Sequence, residues 1–150
     1  MGRAGYVDDY DEDNSGHLYR GRVASALRGR RGQAFLKDLL AQLDAMPEKR
    51  LFTSQLEQNG EVCTLGVMTR ARKIDTSDKS RWGFSEIGEY GSDDPDQDEW
   101  VIDNLVAELD IAEPMVREIM YLNDEGSGHT ETPEDRWQRM RQWVQRHIQP

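Results

Sequence analysis

Apolar residues recur at helical spacing in the second quarter of the chain and again through its C-terminal third. Between Gln33 and Met46 they fall at Phe35, Leu36, Leu39, Leu40, Leu43 and Met46, while Lys37, Asp38, Gln42 and Asp44 lie mainly outside that face. A stripe this wide predicts a helix seated against a core. Pro47 ends it at Met46, because proline disfavours helical geometry in the residue before it. Ile102, Leu105, Val106 and Leu109 repeat the pattern from about Asp98, and Met115, Val116, Ile119 and Met120 do so from Pro114. The last helix opens on Thr132-Pro133-Glu134-Asp135, a capping hydroxyl followed by a first-turn proline and two acids at the positive end of the helix dipole. It runs to Ile148, with Trp137, Met140, Val144 and Ile148 on one seam, Trp143 beside it, and Arg139, Arg141 and Arg146 toward its C-terminal half.

Elsewhere the pattern is thinner. Val23 and Leu27 share one side of a helix predicted from about Tyr19 to Leu27, and Gly29 and Gly32 then bracket Arg30 and Arg31, which predicts a stop, a glycine-hinged junction and a fresh start. Two β-prone runs, Leu51 to Leu56 and Val62 to Leu65, flank Asn59-Gly60, a pair suited to positive φ at both centres of a two-residue turn. From Gly66 to Arg72 the chain can return to helix, carrying a second basic group of Arg70, Arg72 and Lys73. Asp75 to Asp98 is polar, and Trp82, Phe84, Ile87 and Tyr90 are its scattered anchors, which predicts a long surface loop with one or two docked aromatics.

The fold class expected from these elements is α+β, mainly α: about five helices and one small β-hairpin near residues 51–66. At 150 residues the chain fits one domain. Only 36% of residues are hydrophobic and 32% are charged, which predicts a small core wrapped in solvated helices with some chain outside it. Residues 1–16 have only Tyr6, Val7 and Tyr10 to bury and are expected to form an acidic, disordered tail, leaving 17–150 as the folded unit. No apolar run approaches the roughly eighteen residues of a membrane span, and the N-terminus has no basic-then-apolar signal pattern. Cys63 is the single cysteine, which excludes an intramolecular disulfide and agrees with a reducing compartment. A cytoplasmic protein without membrane contact is expected.

Charge changes the picture most. Between Asn14 and Lys37 there are six basic residues and no acid, although the chain as a whole carries −10. Directly before this block stand Asp8, Asp9, Asp11, Glu12 and Asp13. An acidic surface disfavours indiscriminate binding to DNA, RNA or anionic lipid. With screening over about 8 Å, a local arginine cluster still acts on its own. Arg20, Arg22, Arg28, Arg30, Arg31 and, further on, Arg117 are therefore the candidate partner-binding residues. On a helical period Arg22 falls away from Arg20 and Arg28, so the block is a collar rather than a stripe. Arg28, Arg30 and Arg31 can offer planar forks to phosphates, or pair with acids of this chain or of a protein partner. Gly29-x-x-Gly32 lacks the rest of a phosphate-binding fingerprint.

Other candidate chemistry is incomplete. Asp11-x-Asp13-x-Ser15-Gly16 has the ligand spacing and mid-loop glycine of an EF-hand, and Leu18 suits its apolar position, but Arg22 stands where a bidentate glutamate should close the shell. His17, His129 and His147 form no metal motif, so neither metal nor cofactor is expected. Cys63 reads as a half-buried structural thiol, and no serine sits in a nucleophile elbow, so catalysis is not expected. Leu105, Val106, Leu109, Ile111, Val116 and Ile119 have the spacing that packs a helix-turn-helix, with Asp110 where glycine is common in the turn. Its second helix would turn Glu113, Met115, Arg117 and Glu118 outward, and two carboxylates facing phosphates oppose binding. A structural helical hairpin and a DNA reader both remain open on this pattern.

The strings Tyr19-Arg20-Gly21-Arg22, Gly29-Arg30-Arg31-Gly32-Gln33-Ala34-Phe35-Leu36, Leu43-Asp44-Ala45-Met46-Pro47 and Gly60-Glu61-Val62-Cys63 resemble a group of small uncharacterised proteins of tailed phages and prophages. Tyr121-Leu122-Asn123-Asp124-Glu125 and Glu131-Thr132-Pro133-Glu134-Asp135-Arg136-Trp137 are similar to its C-terminal part. The resemblance covers most of residues 19 to 148 and leaves the acidic tail outside. It implies a bacterial host cytoplasm and an accessory role, such as interference with host defence, transcription or replication. The expected function is a non-enzymatic accessory protein that binds a host or phage protein, its acidic surface able to compete for a nucleic-acid-binding site. The alternative is a helix-turn-helix-like nucleic-acid-binding regulator anchored to phosphates by Arg20 to Arg31.

Overall fold

A computed structural model of the chain describes residues 15–53, 55–78, 82, 95–125 and 130–150. Among them are six helices and one two-stranded hairpin: α1 (Ser15–Arg28), α2 (Arg30–Ala45), β1 (Glu57–Gln58), β2 (Glu61–Val62), α3 (Thr64–Ala71), α4 (Pro95–Leu109), α5 (Glu113–Glu125) and α6 (Pro133–His147). The mainly helical α+β class is as expected, with one helix more than predicted. Most of the acidic tail lies outside the described residues, as do Phe84, Ile87 and Tyr90 of the predicted loop. None of the described helices is long and apolar enough to cross a membrane.

Two helices form the frame. α5 packs on α1, α3, α4 and α6, while α2 packs on α1, α3 and α6. Leu36, Leu39 and Leu43 of α2 have no exposed surface, and neither have Ile102 and Leu105 of α4 nor Met115 and Ile119 of α5. Met115 thus departs from its predicted outward position. A helix packed on four neighbours buries more than one stripe, so periodicity alone misplaces its flank. Trp82 is the docked aromatic of the long segment, fully buried, its indole Nε1 donating to the Asp75 carbonyl at 2.9 Å.

The junctions follow local chemistry. Gly29 caps α2 in an extended conformation, with φ −65° and ψ 163°, so the helix breaks for one residue without a left-handed turn. Gly32 is not a hinge. A Cβ there would stand 2.0 Å from the Ala26 carbonyl oxygen, so the glycine lets the start of α2 lie against the end of α1. In the hairpin, Glu57 pairs with Val62 and Gln58 with Glu61, and Asn59 and Gly60 take φ values of 54° and 83°. This is the predicted turn between shorter strands than expected. Outside the two short strands, the Leu51 amide donates to the Pro133 carbonyl at 3.0 Å, the Phe52 amide to the Val62 carbonyl at 2.9 Å, and the Cys63 amide to the Leu56 carbonyl at 3.3 Å. Cys63 then caps α3, which covers the helix expected from Gly66 and begins two residues earlier, its Sγ accepting from the Gly66 amide at 3.4 Å. The thiol is fully buried rather than half-buried.

The two C-terminal strings of the phage-protein resemblance meet in a buried polar staple. Asn123 Oδ1 accepts from the Thr64 amide at 3.1 Å and from its hydroxyl at 2.7 Å, while Nδ2 donates to the Phe52 carbonyl at 2.9 Å. Arg136 donates to the Asn123 and Leu51 carbonyls at 3.0 and 3.1 Å. Arg139 donates to the Leu122 carbonyl at 2.7 Å and grips both oxygens of Glu131 at 2.6 and 2.9 Å. The last carbonyls of α5 are thereby satisfied by cations, which suits the negative end of a helix. Thr132 caps α6 as predicted, its hydroxyl accepting from the Asp135 amide at 3.1 Å.

Candidate partner-binding cleft

The arginines nominated by the sequence divide by helical phase. Arg20 and Arg28 point to the same side of α1 as Val23, Ala24 and Leu27, and this side lines a cleft of about 530 Å³ closed by the end of α6. Arg146 lines it as well, so three arginines border one cleft. Arg22 lies off this face and is exposed, in keeping with the predicted collar. Arg30, exposed in the first turn of α2, is likewise outside the cleft.

Two candidates make ion pairs within the fold, Arg31 in an exposed pair and Arg117 in a largely buried one. Arg31 pairs with Asp110 at 3.0 Å, tying the start of α2 to the turn between α4 and α5. Asp110 holds φ 54° at that turn, where glycine had been the commoner expectation. Arg117 contacts Glu99 at 2.6 Å and Glu113 at 2.7 Å with its side chain only 12% exposed. Burial works against its charge, but the hydrogen bonds and charges of those two glutamates prevail and hold its pKa above the ordinary guanidinium value. In the second basic cluster Lys73 is exposed, while both arginines have partners within the fold. Arg70 pairs with Glu57 at 3.3 Å, and Arg72 donates to the Leu109 carbonyl at 3.0 Å while lying 5.6 Å over the Phe35 ring.

By contrast, Arg22, Arg28, Arg30 and Arg146 make no ion pair among the described residues. Arg20 engages a neighbouring group. The cleft floor is apolar: Val23, Leu27 and Trp143 show only 7%, 6% and 8% of their surface, and Ile148 lines it from the segment after α6. One carboxylate, Glu118 of α5, also lines it and is itself engaged within the fold. The wall is fixed rather than loose. Gln33 Nε2 donates to the Leu27 and His147 carbonyls at 2.7 and 2.8 Å, and its Oε1 accepts from the Gln149 amide at 2.8 Å. One side chain of α2 thereby joins the ends of α1 and α6. The His147 ring lies 4.7 Å from that of Trp143, and its Nδ1 is 2.7 Å from the Trp143 carbonyl.

Chemically the cleft offers charge-assisted hydrogen bonds at its rim and desolvation at its base. Its volume is within the range of pockets that take small ligands or anchoring side chains. Among the described residues no group of three or more His, Cys, Asp or Glu could hold a metal ion. Ser15 to Arg22, the second half of the EF-hand-like string, are helical and so do not form a ligand loop. The two helices expected around Asp110 form as α4 and α5 and pack on each other, and the second of them packs on three more helices.

Arg146, Trp143 and Gln33 were not nominated from the sequence as parts of one site. The only signal was indirect: Trp143 stands beside the α6 seam and Arg146 one turn after it, and nothing local says that this edge meets α1. No known protein family, curated protein or solved structure matches the chain.

Proposed function

We propose that the protein is a non-enzymatic binding protein whose arginine-rimmed cleft receives an acidic, aromatic-bearing segment of a protein partner. The observation that carries this reading is the convergence of Arg20, Arg28 and Arg146 over Val23, Leu27 and Trp143. Guanidiniums match carboxylates in planar, two-point pairing, and an apolar floor between them rewards an aromatic anchor. The resemblance to phage and prophage proteins supports a host or phage protein in a bacterial cytoplasm as the partner. The acidic remainder of the surface then suits competition with nucleic acid for a factor that binds it.

The direct experiment measures anisotropy of a labelled peptide carrying one tyrosine among four or more acids. Arg28→Glu or Arg146→Glu should each weaken binding at least about tenfold, the worth of one charge-assisted hydrogen bond. Binding unchanged by both substitutions, or no binding by the wild type, overturns the reading.

Nucleic-acid binding is the second reading, favoured by one observation: Arg22, Arg28 and Arg30 are exposed and unpaired among the described residues. These would anchor phosphates, but α5 offers no cation beside them, since Arg117 is held by Glu99 and Glu113. Mobility shifts of duplex and single-stranded DNA and RNA at low salt test it. A salt-sensitive shift abolished by glutamate at Arg22, Arg28 and Arg30 would favour this reading over the first. Absence of any shift removes it.

A further inference from the structure

Five side chains that line the cleft can carry charge: Arg20, Arg28, Glu118, Arg146 and His147. Arginine stays cationic at any physiological pH, whereas histidine is the side chain whose charge ordinarily changes between about pH 5 and 8. The Nδ1 of His147 stands 2.7 Å from the Trp143 carbonyl oxygen, which can only accept, so Nδ1 carries the proton. In the neutral ring the lone pair is therefore on Nε2. A second proton enters there and leaves both the Nδ1 contact and the packing on Trp143 in place. Nε2 has no hydrogen-bond partner among the described residues and is not a buried atom, which leaves it open to solvent or to an occupant.

The charges around this half-buried ring set the direction of its response. Arg20 and Arg28 of α1 and Arg146 of its own helix oppose a further positive charge, while Glu118 of α5 favours one. From α2 it meets the neutral Gln33, and Ile148, Gln149 and Pro150 bring no charged side chain. The ring also stands in the last turn of α6, where the helix dipole favours a cation. A carboxylate seated beside the arginines offsets their charge and offers Nε2–H an acceptor. Acidic segment and proton then favour each other, and each raises the affinity for the other by the same factor.

We propose that His147 is a specificity-determining contact of the cleft: Nε2 takes a proton from solvent as a partner carboxylate seats, and donates that N–H to it. The inference rests on the cleft reading above and adds its control by pH. A hydrogen bond between two charged groups exceeds one from a neutral ring by about tenfold in affinity. The cleft therefore holds acidic segments more tightly as pH falls from about 8 to 5.5, a range in which the carboxylates of the segment stay ionised.

The test uses the full chain and, as probe, the labelled peptide carrying one tyrosine among four or more acids, at fixed ionic strength. Anisotropy of the wild type should show affinity rising about tenfold toward the acid end of this range. His147→Gln should lose the rise, its affinities at the two ends becoming equal. Calorimetry of the wild type in two buffers of different ionisation enthalpy reads the proton directly. Near neutrality each bound peptide should bring uptake of a fraction of one proton, absent in His147→Gln. Long-range proton–nitrogen correlation spectra of the wild type should show Nδ1 protonated and Nε2 bare at the alkaline end, with Nε2 gaining its proton as peptide is added near neutrality.

A rise of equal size in wild type and His147→Gln, or binding by the wild type without proton uptake, overturns the inference and leaves the cleft reading intact. An alkaline tautomer with its proton on Nε2 does the same. If the wild type does not bind the probe anywhere in the range, the cleft reading falls, and the inference with it. The calorimetric and NMR readouts of the wild type need no substitution, so they decide the matter even where His147→Gln fails to fold.

Discussion

Replacing Asn123 with alanine should cost the fold more than any surface charge change. The side chain is 1% exposed and links two segments to its own helix α5: Thr64 at the start of α3, and Phe52 ahead of the hairpin. Alanine leaves the buried Thr64 amide and the part-buried Phe52 carbonyl without these partners. Each orphaned group costs about 1–3 kcal/mol, and the Thr64 hydroxyl loses its acceptor as well. Partial relaxation offsets some of this, so a loss of about 3 kcal/mol is expected, a large share of the roughly 5–15 kcal/mol that holds such a domain together. Urea denaturation followed by circular dichroism should show a lower midpoint with an unchanged slope, and the melting temperature should fall by about 6–12 °C. Thr64→Val removes only the hydroxyl and should cost about 1 kcal/mol in the wild type, but less when Asn123 is already alanine. If Asn123→Ala loses under about 1 kcal/mol, or if its effect simply adds to that of Thr64→Val, the staple does not hold the fold as described.

Two other perturbations read the packing and the electrostatics. Gly32→Ala forces a Cβ to within 2.0 Å of the Ala26 carbonyl, a backbone atom that cannot swing aside, and thermal melts should show a destabilisation of about 1–3 kcal/mol. Asp44 is held below its ordinary 3.8, chiefly by the Arg141 guanidinium that it accepts from at 2.5 Å. A carboxylate with a depressed pKa in the folded state contributes stability that is present above the unfolded value and lost as pH falls through the folded one. The stability difference between wild type and Asp44→Asn should therefore be constant near neutrality and shrink in chemical denaturation below pH 3.8.

Elements set by local chemistry were readable in the sequence, and those set by meeting faces were not. The wide stripe from Phe35 to Leu43 and the Thr132 cap placed α2 and α6 because period and cap act within one helix. Asn59-Gly60 placed the turn but not the strand lengths, since Leu51 to Leu56 found its partners in Pro133 and Cys63, far away or across the turn. α1 already includes Ser15 to Leu18, ahead of the predicted Tyr19, and Leu18 is 71% exposed, so no apolar stripe marked these residues as helix.

The same division explains the site. Helical phase alone separated Arg22 from Arg20 and Arg28, which is why the collar was legible. The binding of Arg117 by Glu99 depends on how α4 crosses α5, and the presence of Arg146 in the same cleft as Arg28 depends on how α2 and α5 hold α6. Neither crossing leaves a trace in spacing. The strings Tyr121 to Glu125 and Glu131 to Trp137 drew notice as resemblance, and the staple they build gives them a structural explanation independent of any partner.

Backbone and indole NMR shifts of the full chain, followed on titration with an acidic tyrosine-bearing peptide, locate the proposed binding site. Binding in the cleft between α1 and the end of α6 should give the largest changes at Val23, Leu27, Trp143 and Ile148. Changes centred instead on Arg22 and Arg30, or on the exposed edge of α4 around Trp100, would refute the cleft reading.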